Sequence, residues 1–327
     1  MLRPFLAALA LTWATLAPAH AAEPWTDWQT PLHADSELAG LVWDVRAGAT
    51  ITPDELIDRL AAARFVLVGE VHDNPDHHRL QGWIISRLAE NGASPTVVME
   101  MIARDQAQTL REYLAEADAS AQGLGPALNW AESGWPAWRF YQPIAEAAFD
   151  AGLTIEAGNP PSDLTRETAQ NGFDSLAAAR KAELTLDEPL SPALAEALSD
   201  ELYEGHCQMV AREKLAPMAK IQRLRDAFMA DGMLAPGSDK AVLIAGNGHV
   251  RADRGVPWYL RRRAPESRVA VVMPMELHEA GVTPADYAET GPDGAPLADF
   301  LWLTPRAERP DPCEQMRQMF EKRNSGN

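Results

Sequence analysis

Val, Leu and Ile gather along this chain in short runs that stop at a glycine or a polar cluster. Residues 65–69 lead into Glu70-Val71-His72, residues 96–99 into Glu100, residues 153–157 into Gly158-Asn159, and residues 241–245 into Gly246-Asn247-Gly248-His249. Runs without apolar/polar alternation are the pattern of strands buried on both faces, as in parallel sheets. Between them lie segments with clear helix starts. Thr52-Pro53, with Glu55 three positions after the threonine, starts a helix to about Ala63 that turns Leu56 and Leu60 inward; Asn74-Pro75 starts another that reaches Glu90 and stops at Asn91-Gly92. Helices are also predicted over about 105–117, 137–151 and 257–262. A strand is predicted over about 268–273, a small hairpin over 41–51, and a Gly-, Trp- and Pro-rich loop before residue 137. The sequence predicts an α/β protein: a mostly parallel open sheet with helices on both faces, residues 22–327 as one domain, and a helical insertion over about 161–231 between the third and fourth long strands.

The first 21 residues follow a different pattern. Arg3, an apolar stretch over 5–16, Pro18 and Ala19-His20-Ala21 match a cleaved secretory leader. The stretch is too short to span a bilayer, so no integral membrane segment is expected in the mature chain. No cysteine adjoins the cleavage site, which leaves a lipid anchor without support. With 47 acidic against 29 basic residues, a net charge of −18, the surface should repel nucleic acid and anionic lipid. Arg261-Arg262-Arg263 is a local exception and reads as a solvated helix end. The cysteines are Cys207 and Cys313. In an oxidising compartment an even count suggests a disulfide. The alternative, a His206-Cys207 metal pair, suffers because adjacent helical residues point about 100° apart.

Ligands of open α/β sheets collect beyond the carboxyl ends of the strands. That edge should carry Glu70, His72, Glu100, Asn159, Asn247 and His249. Glu70 and His72, two positions apart, leave one face of an extended chain. His77 and His78 follow in the first turn of a helix, where His77 in particular reads as solvated. Glu70, His72, His78, Glu100 and His249 have the donor types of a divalent metal site, and Glu70, His72, Glu100 and His249 those of a hydrolytic centre. The plainer reading of Glu100 is an ion pair with Arg104. A second set is aromatic: Trp130, Trp135, Trp138 and Tyr141 fall within one segment, either as packing under a long loop or as an apolar wall for a flat ligand. Tyr203 and His206 would share a helix face one turn apart, and either residue type serves as a haem axial ligand.

Leu67-Val68-Gly69-Glu70-Val71-His72-Asp73-Asn74-Pro75-Asp76-His77-His78, with Gln81, Val98-Met99-Glu100, Ala157-Gly158-Asn159, His206-Cys207, Gly246-Asn247-Gly248-His249-Val250-Arg251 and Asp311-Pro312-Cys313, resembles the ChaN-like haem-binding uptake family, which shares a superfamily with Tiki proteases and erythromycin esterases. The resemblance spans about residues 40–315. It implies a bacterial envelope protein with an α/β sheet, linked to haem or iron acquisition, here periplasmic. Its implied partners are haem or another small flat ligand and periplasmic or outer-membrane uptake components, with a homodimer allowed. The Glu-x-His pair and the late histidine are shared with the hydrolytic relatives, so both functions stay open. The leading expectation is an exported haem-binding protein with contacts from Trp135, Trp138, Tyr141, Tyr203 and His206. The alternative is a metal-dependent or carboxylate/histidine hydrolase of esters, lactones or peptides.

Overall fold

The computed structural model describes residues 23–235 and 239–325; the leader expected over residues 1–21 lies outside them. The hairpin forms as β1 (Val42–Asp44) and β2 (Ala49–Ile51), followed by α1 (Pro53–Ala61). Thr52 caps α1 reciprocally: its hydroxyl accepts from the Glu55 amide and its own amide donates to the Glu55 carboxylate. Next come β3 (Phe65–Val68), α2 (Pro75–Glu90), β4 (Thr96–Ala103), α3 (Ala107–Leu114), α4 (Ala121–Ala127), α5 (Trp138–Asp150) and β5 (Ile155–Asn159). The insertion is helical: α6 (Ser162–Asn171), α7 (Ala178–Glu183), α8 (Pro192–Gly205) and α9 (Arg212–Met233). The chain closes with β6 (Ala241–Ile244), α10 (Asn247–Val250), α11 (Val256–Arg263), β7 (Val269–Glu276), β8 (Phe300–Thr304) and α12 (Pro312–Ser325).

These strands make one sheet in the order β2-β1-β8-β7-β3-β6-β4-β5. The six strands from β8 to β5 run parallel, and the hairpin joins antiparallel through β1 and β8. Several elements depart from the sequence reading, among them α12, which the pattern did not predict. β4 runs on to Ala103, the Gly-, Trp- and Pro-rich loop contains α4, and β8 was not foreseen, because its four-residue apolar run lies beyond the point where the pattern of long strands and helices stops.

Strand alternation divides the core in two. Val66 and Val68 of β3 pack with α1, α2 and α5 on one face, whereas Phe65 and Leu67 pack with α8, α9 and α11 on the other. In β4, Met99 and Met101 belong to the first face and Val98 to the second, so Glu100, with the parity of Val98, leaves toward α9. Cys207 and Cys313 are disulfide-bonded, with Cα atoms 5.5 Å apart across a sequence separation of 106. Its sulfur spoken for, Cys207 is no partner for a metal beside His206. Among the described residues no helix is long and apolar enough to cross a membrane.

Candidate functional site

The strand order explains why residues far apart in sequence meet. β3, β6 and β4 are neighbours, so the chain leaving β3 (Glu70, His72), the end of β4 (Glu100) and the turn after β6 (Gly246, His249) share one edge. Glu70 is buried on the α2/α5 side, and four donors surround its carboxylate. His72 Nδ1 lies 2.7 Å from Oε1, to which the Tyr141 hydroxyl also donates at 3.1 Å. Gln81 Nε2 donates to Oε2 at 2.9 Å, and His78 Nδ1 lies 3.3 Å from the same oxygen. Burial alone would raise the Glu70 pKa; His78 and His72 more than reverse this and hold it well below the usual carboxylate range.

His77 and His78 are both fully buried, which corrects the solvated reading of first-turn residues. The Asp73-Asn74-Pro75 turn folds α2 back over the end of β3, so its first turn faces inward. The Val71 amide donates to His77 Nδ1 at 2.8 Å, which leaves Nε2 to carry the proton toward Thr304 Oγ1, also at 2.8 Å. His77 is therefore neutral, its pKa pushed down to about 3 by burial. His78 has only acceptors around it: the His72 carbonyl at 3.0 Å from Nε2, with Gln81 Oε1 at 3.2 Å and the Glu70 carboxylate near Nδ1. That surround calls for a proton on each nitrogen. Burial opposes the charge and Glu70 restores it, so the His78 pKa rises.

The second half of the site lies on the α9 side. Glu100 Oε2 accepts from the Gly246 amide at 2.8 Å, Oε1 lies 3.3 Å from His249 Nε2, and His249 Nδ1 lies 2.6 Å from Asp226 Oδ1. Although burial disfavours a charged imidazole, Glu100 and Asp226 push the His249 pKa up to about 10. Burial likewise acts to raise Glu100, but His249 takes it down to about 2, whereas for Asp226 burial wins and the pKa rises. Arg104, the alternative partner for Glu100, pairs with Asp231 at 3.2 Å instead. Asp226 was not foreseen from the sequence. A carboxylate on the same helix face as Leu215, three turns along, was the available signal.

His72 joins the halves. Its Nδ1 engages Glu70 on one side, and Glu100 helps raise its pKa from the other against the cost of burial. The ring lies over Gly246, where a Cβ would stand 3.0 Å from Cε1 and Nε2. The His72 side chain is 38% exposed, against none for Glu70 or His78 and 9% for His249. His72 is thus the mouth of an otherwise sealed cluster, and the Trp135 ring stands edge-on to it at 4.9 Å. Among the described residues no three His, Cys, Asp or Glu side chains are arranged to hold a metal ion. Glu70, His72, His78, Glu100 and His249 instead use their donors and acceptors on one another.

The aromatic set divides. Tyr141 is fully buried within the Glu70 cluster, its ring against His78 and Trp130. Trp130 is buried too and donates to the Pro136 carbonyl, while Trp138 donates to the Ala121 carbonyl. Half-buried Trp135 and Trp138 line an apolar cleft of about 600 Å³ with Gly125, Pro126 and Trp130. Tyr203 and His206 lie elsewhere, on the insertion. The Arg212 guanidinium covers the Tyr203 ring at 4.2 Å, and His206 caps the end of α8 with Nδ1 donating to the Leu202 carbonyl at 2.6 Å. Asn247 Nδ2 donates to the Pro274 carbonyl, while Asn247 Oδ1 and Asn159 Oδ1 are both buried without a partner.

Comparison with known proteins bears on this arrangement. No curated protein matches the chain in sequence. Among solved structures, a ChaN of Campylobacter jejuni described with cofacial haem binding has a similar fold, with a TM-score of 0.58 and 19% identity over 81% of this chain and 96% of that one. The type III effector HopBA1 gives a TM-score of 0.43 (13% identity, 77% and 92% covered), and an erythromycin esterase mutant, EreC, in its open conformation gives 0.39 (16% identity, 80% and 81% covered). The family model for haem-binding uptake, Tiki superfamily, ChaN, matches residues 56–260. Because that stretch is more than half of the chain and holds Glu70, His72, Glu100, Asp226 and His249, the chain belongs to the ChaN family of haem-binding uptake proteins.

Proposed function

We propose that the protein is an exported, periplasmic haem-binding protein of haem or iron uptake, which holds haem against the Trp135/Trp138 wall with His72 as imidazole donor. The carrying observation is the state of His72. It is the exposed member of a sealed cluster, with Nδ1 engaged by Glu70 and with Nε2 beside a Gly246 that brings no Cβ to close it off. A carboxylate on the far ring nitrogen is the common support of a metal-ligating imidazole, since it fixes the tautomer and raises basicity. The neighbouring cleft offers indole surface suited to a flat apolar ligand. Bound haem would supply an iron centre whose properties follow its axial donor. Export rests on the leader pattern of residues 1–21.

Glu70 argues for binding over hydrolysis. A general base needs an oxygen free to take a proton, and both Glu70 oxygens already face two donors each. The Asp226-His249-Glu100 chain keeps the hydrolytic alternative in the test. Haem titrated into the wild type should give a saturable Soret shift that is lost in His72→Ala and retained in Tyr203→Phe and His206→Ala. Loss in either of the latter, with His72→Ala unaffected, would move haem to α8. No shift in the wild type, together with ester turnover abolished by Glu70→Gln, would hand the site to hydrolysis.

A further inference from the structure

A second cleft opens beside Trp135 at the carboxyl ends of β4 and β5. It measures about 460 Å³, and its polar lining includes Asp105, Glu132, Asn159 and Arg225. Two buried atoms there have no hydrogen-bond partner: Asn159 Oδ1 and Arg225 Nε. Such atoms are uncommon in folded proteins, and each calls for an account. The Arg225 side chain makes no hydrogen bond or ion pair with any described residue, although the chain carries an acidic excess of 18 charges. Two of its neighbours on α9 are engaged. Arg223 donates to the Tyr259 hydroxyl and the Glu188 carbonyl, and Asp226 holds His249.

The two orphans ask for opposite things. A guanidinium calls for a carboxylate or phosphate, and an amide oxygen calls for a donor. Asp105 and Glu132 give the cleft more negative than positive side chains, so a free dianion is repelled while a cationic donor is drawn in. A hydroxy acid, with a neutral hydroxyl in place of the ammonium, would leave those carboxylates without a counter-charge. We propose that this cleft binds a free α-amino acid as its zwitterion: the carboxylate on Arg225, the ammonium at Asn159 Oδ1 near Asp105 and Glu132, and the side chain toward Trp135. The location agrees with the chemistry, because ligands of open α/β sheets settle beyond the carboxyl ends of parallel strands. The cleft shares Trp135 with the haem wall, but Arg225 and Asn159 lie outside the haem contacts, so the proposal stands without them.

Thermal shift and calorimetric titration with each common L-amino acid test the proposal, with acetate and methylammonium as controls carrying one charge each. At least one amino acid should bind saturably while neither control does. Arg225→Gln should weaken that binding about tenfold or more, the scale of one charge-assisted contact, with haem titration unchanged. Asn159→Leu should lose the same binding without a fall in melting temperature, because it removes an acceptor that has no partner. The proposal is overturned if no amino acid binds the wild type, if acetate binds as tightly as the best amino acid, or if a normally folded Arg225→Gln variant binds like the wild type. A clear fall in melting temperature in Asn159→Leu would also overturn it, since Oδ1 would then serve the fold.

Discussion

Asp226 Oδ1 lies 2.6 Å from His249 Nδ1, and through this contact the helical insertion takes part in the site. His249 leaves the turn after β6, Asp226 comes from α9, and the far ring nitrogen of His249 faces Glu100 from β4. Three segments distant in sequence thus hold one imidazole between two carboxylates. Glu70, His78, Gln81 and Tyr141 form a separate group on the α2/α5 side, and His72 stands between the two.

Asp226→Asn should remove a charge that the buried His249 relies on. Breaking one partner of a buried pair costs about 3–5 kcal/mol, and the His249 pKa should fall from about 10. Denaturant unfolding and NMR titration of the imidazole read the two effects. An unchanged midpoint together with an unchanged His249 titration would show that Asp226 does no more than fill space.

Much of this edge was legible in the sequence. Glu70, His72, Glu100 and His249 stood out because each follows an apolar run that breaks abruptly, and the structure brings all four together. The order of strands was not legible: β3 pairs with β6 and β7, whose partners lie far along the chain, and no local pattern encodes that choice. Asp226 was hidden because a single carboxylate among Leu224, Arg225, Ala227 and Phe228 looks like one more polar position of a surface helix. The burial of His77 was missed for a different reason. Its partner Thr304 belongs to β8, the strand that the sequence pattern did not disclose.

Stability should peak near neutral pH. His249 has a folded pKa of about 10 against an ordinary 6.5, so its contribution is complete below pH 6.5 and is lost as pH rises toward 10. His77 acts in the opposite sense. Its folded pKa is about 3, so between pH 6.5 and 3 the unfolded chain binds the extra proton and stability falls as pH falls. Glu100, at about 2 against 4.5, adds to the acid loss below pH 4.5. Melting temperatures across pH 3 to 10 test the profile. His249→Gln should flatten the alkaline limb and His77→Gln the stretch from pH 6.5 downward; an alkaline limb of full steepness in His249→Gln would place its cause elsewhere.

Gly82 sets how closely α2 approaches α5. A Cβ there would lie 2.6 Å from the Pro143 carbonyl oxygen, a rigid backbone neighbour. Gly82→Ala should therefore destabilise by about 1–3 kcal/mol through overpacking. Gly205, at the end of α8, has open space around the corresponding position, so Gly205→Ala should be neutral or stabilise by up to about 1 kcal/mol. Chemical denaturation of both variants separates steric from backbone effects; equal losses would remove the packing argument.

The Cys207–Cys313 bond is the tie that should govern α12. It closes a sequence separation of 106, and by the chain-entropy account such a link stabilises by about 4–5 kcal/mol. Cys207 and Gln208 both adopt left-handed backbone, with φ of 54° and 59°, at a cost of about 1–3 kcal/mol each. The bonds from their amides to the Glu204 and Tyr203 carbonyls offset part of that cost. On the other side of the link, Arg309 pairs with Asp73 and Glu276 and holds the chain just before α12. Reduction should therefore lower the melting temperature and open protease sites beyond Arg309, leaving the sheet intact; Cys313→Ser should do the same without reductant. Mass spectrometry after alkylation of denatured, unreduced protein checks the bond itself. Two alkylated thiols there, or identical melting before and after reduction, would show that α12 is held by other contacts.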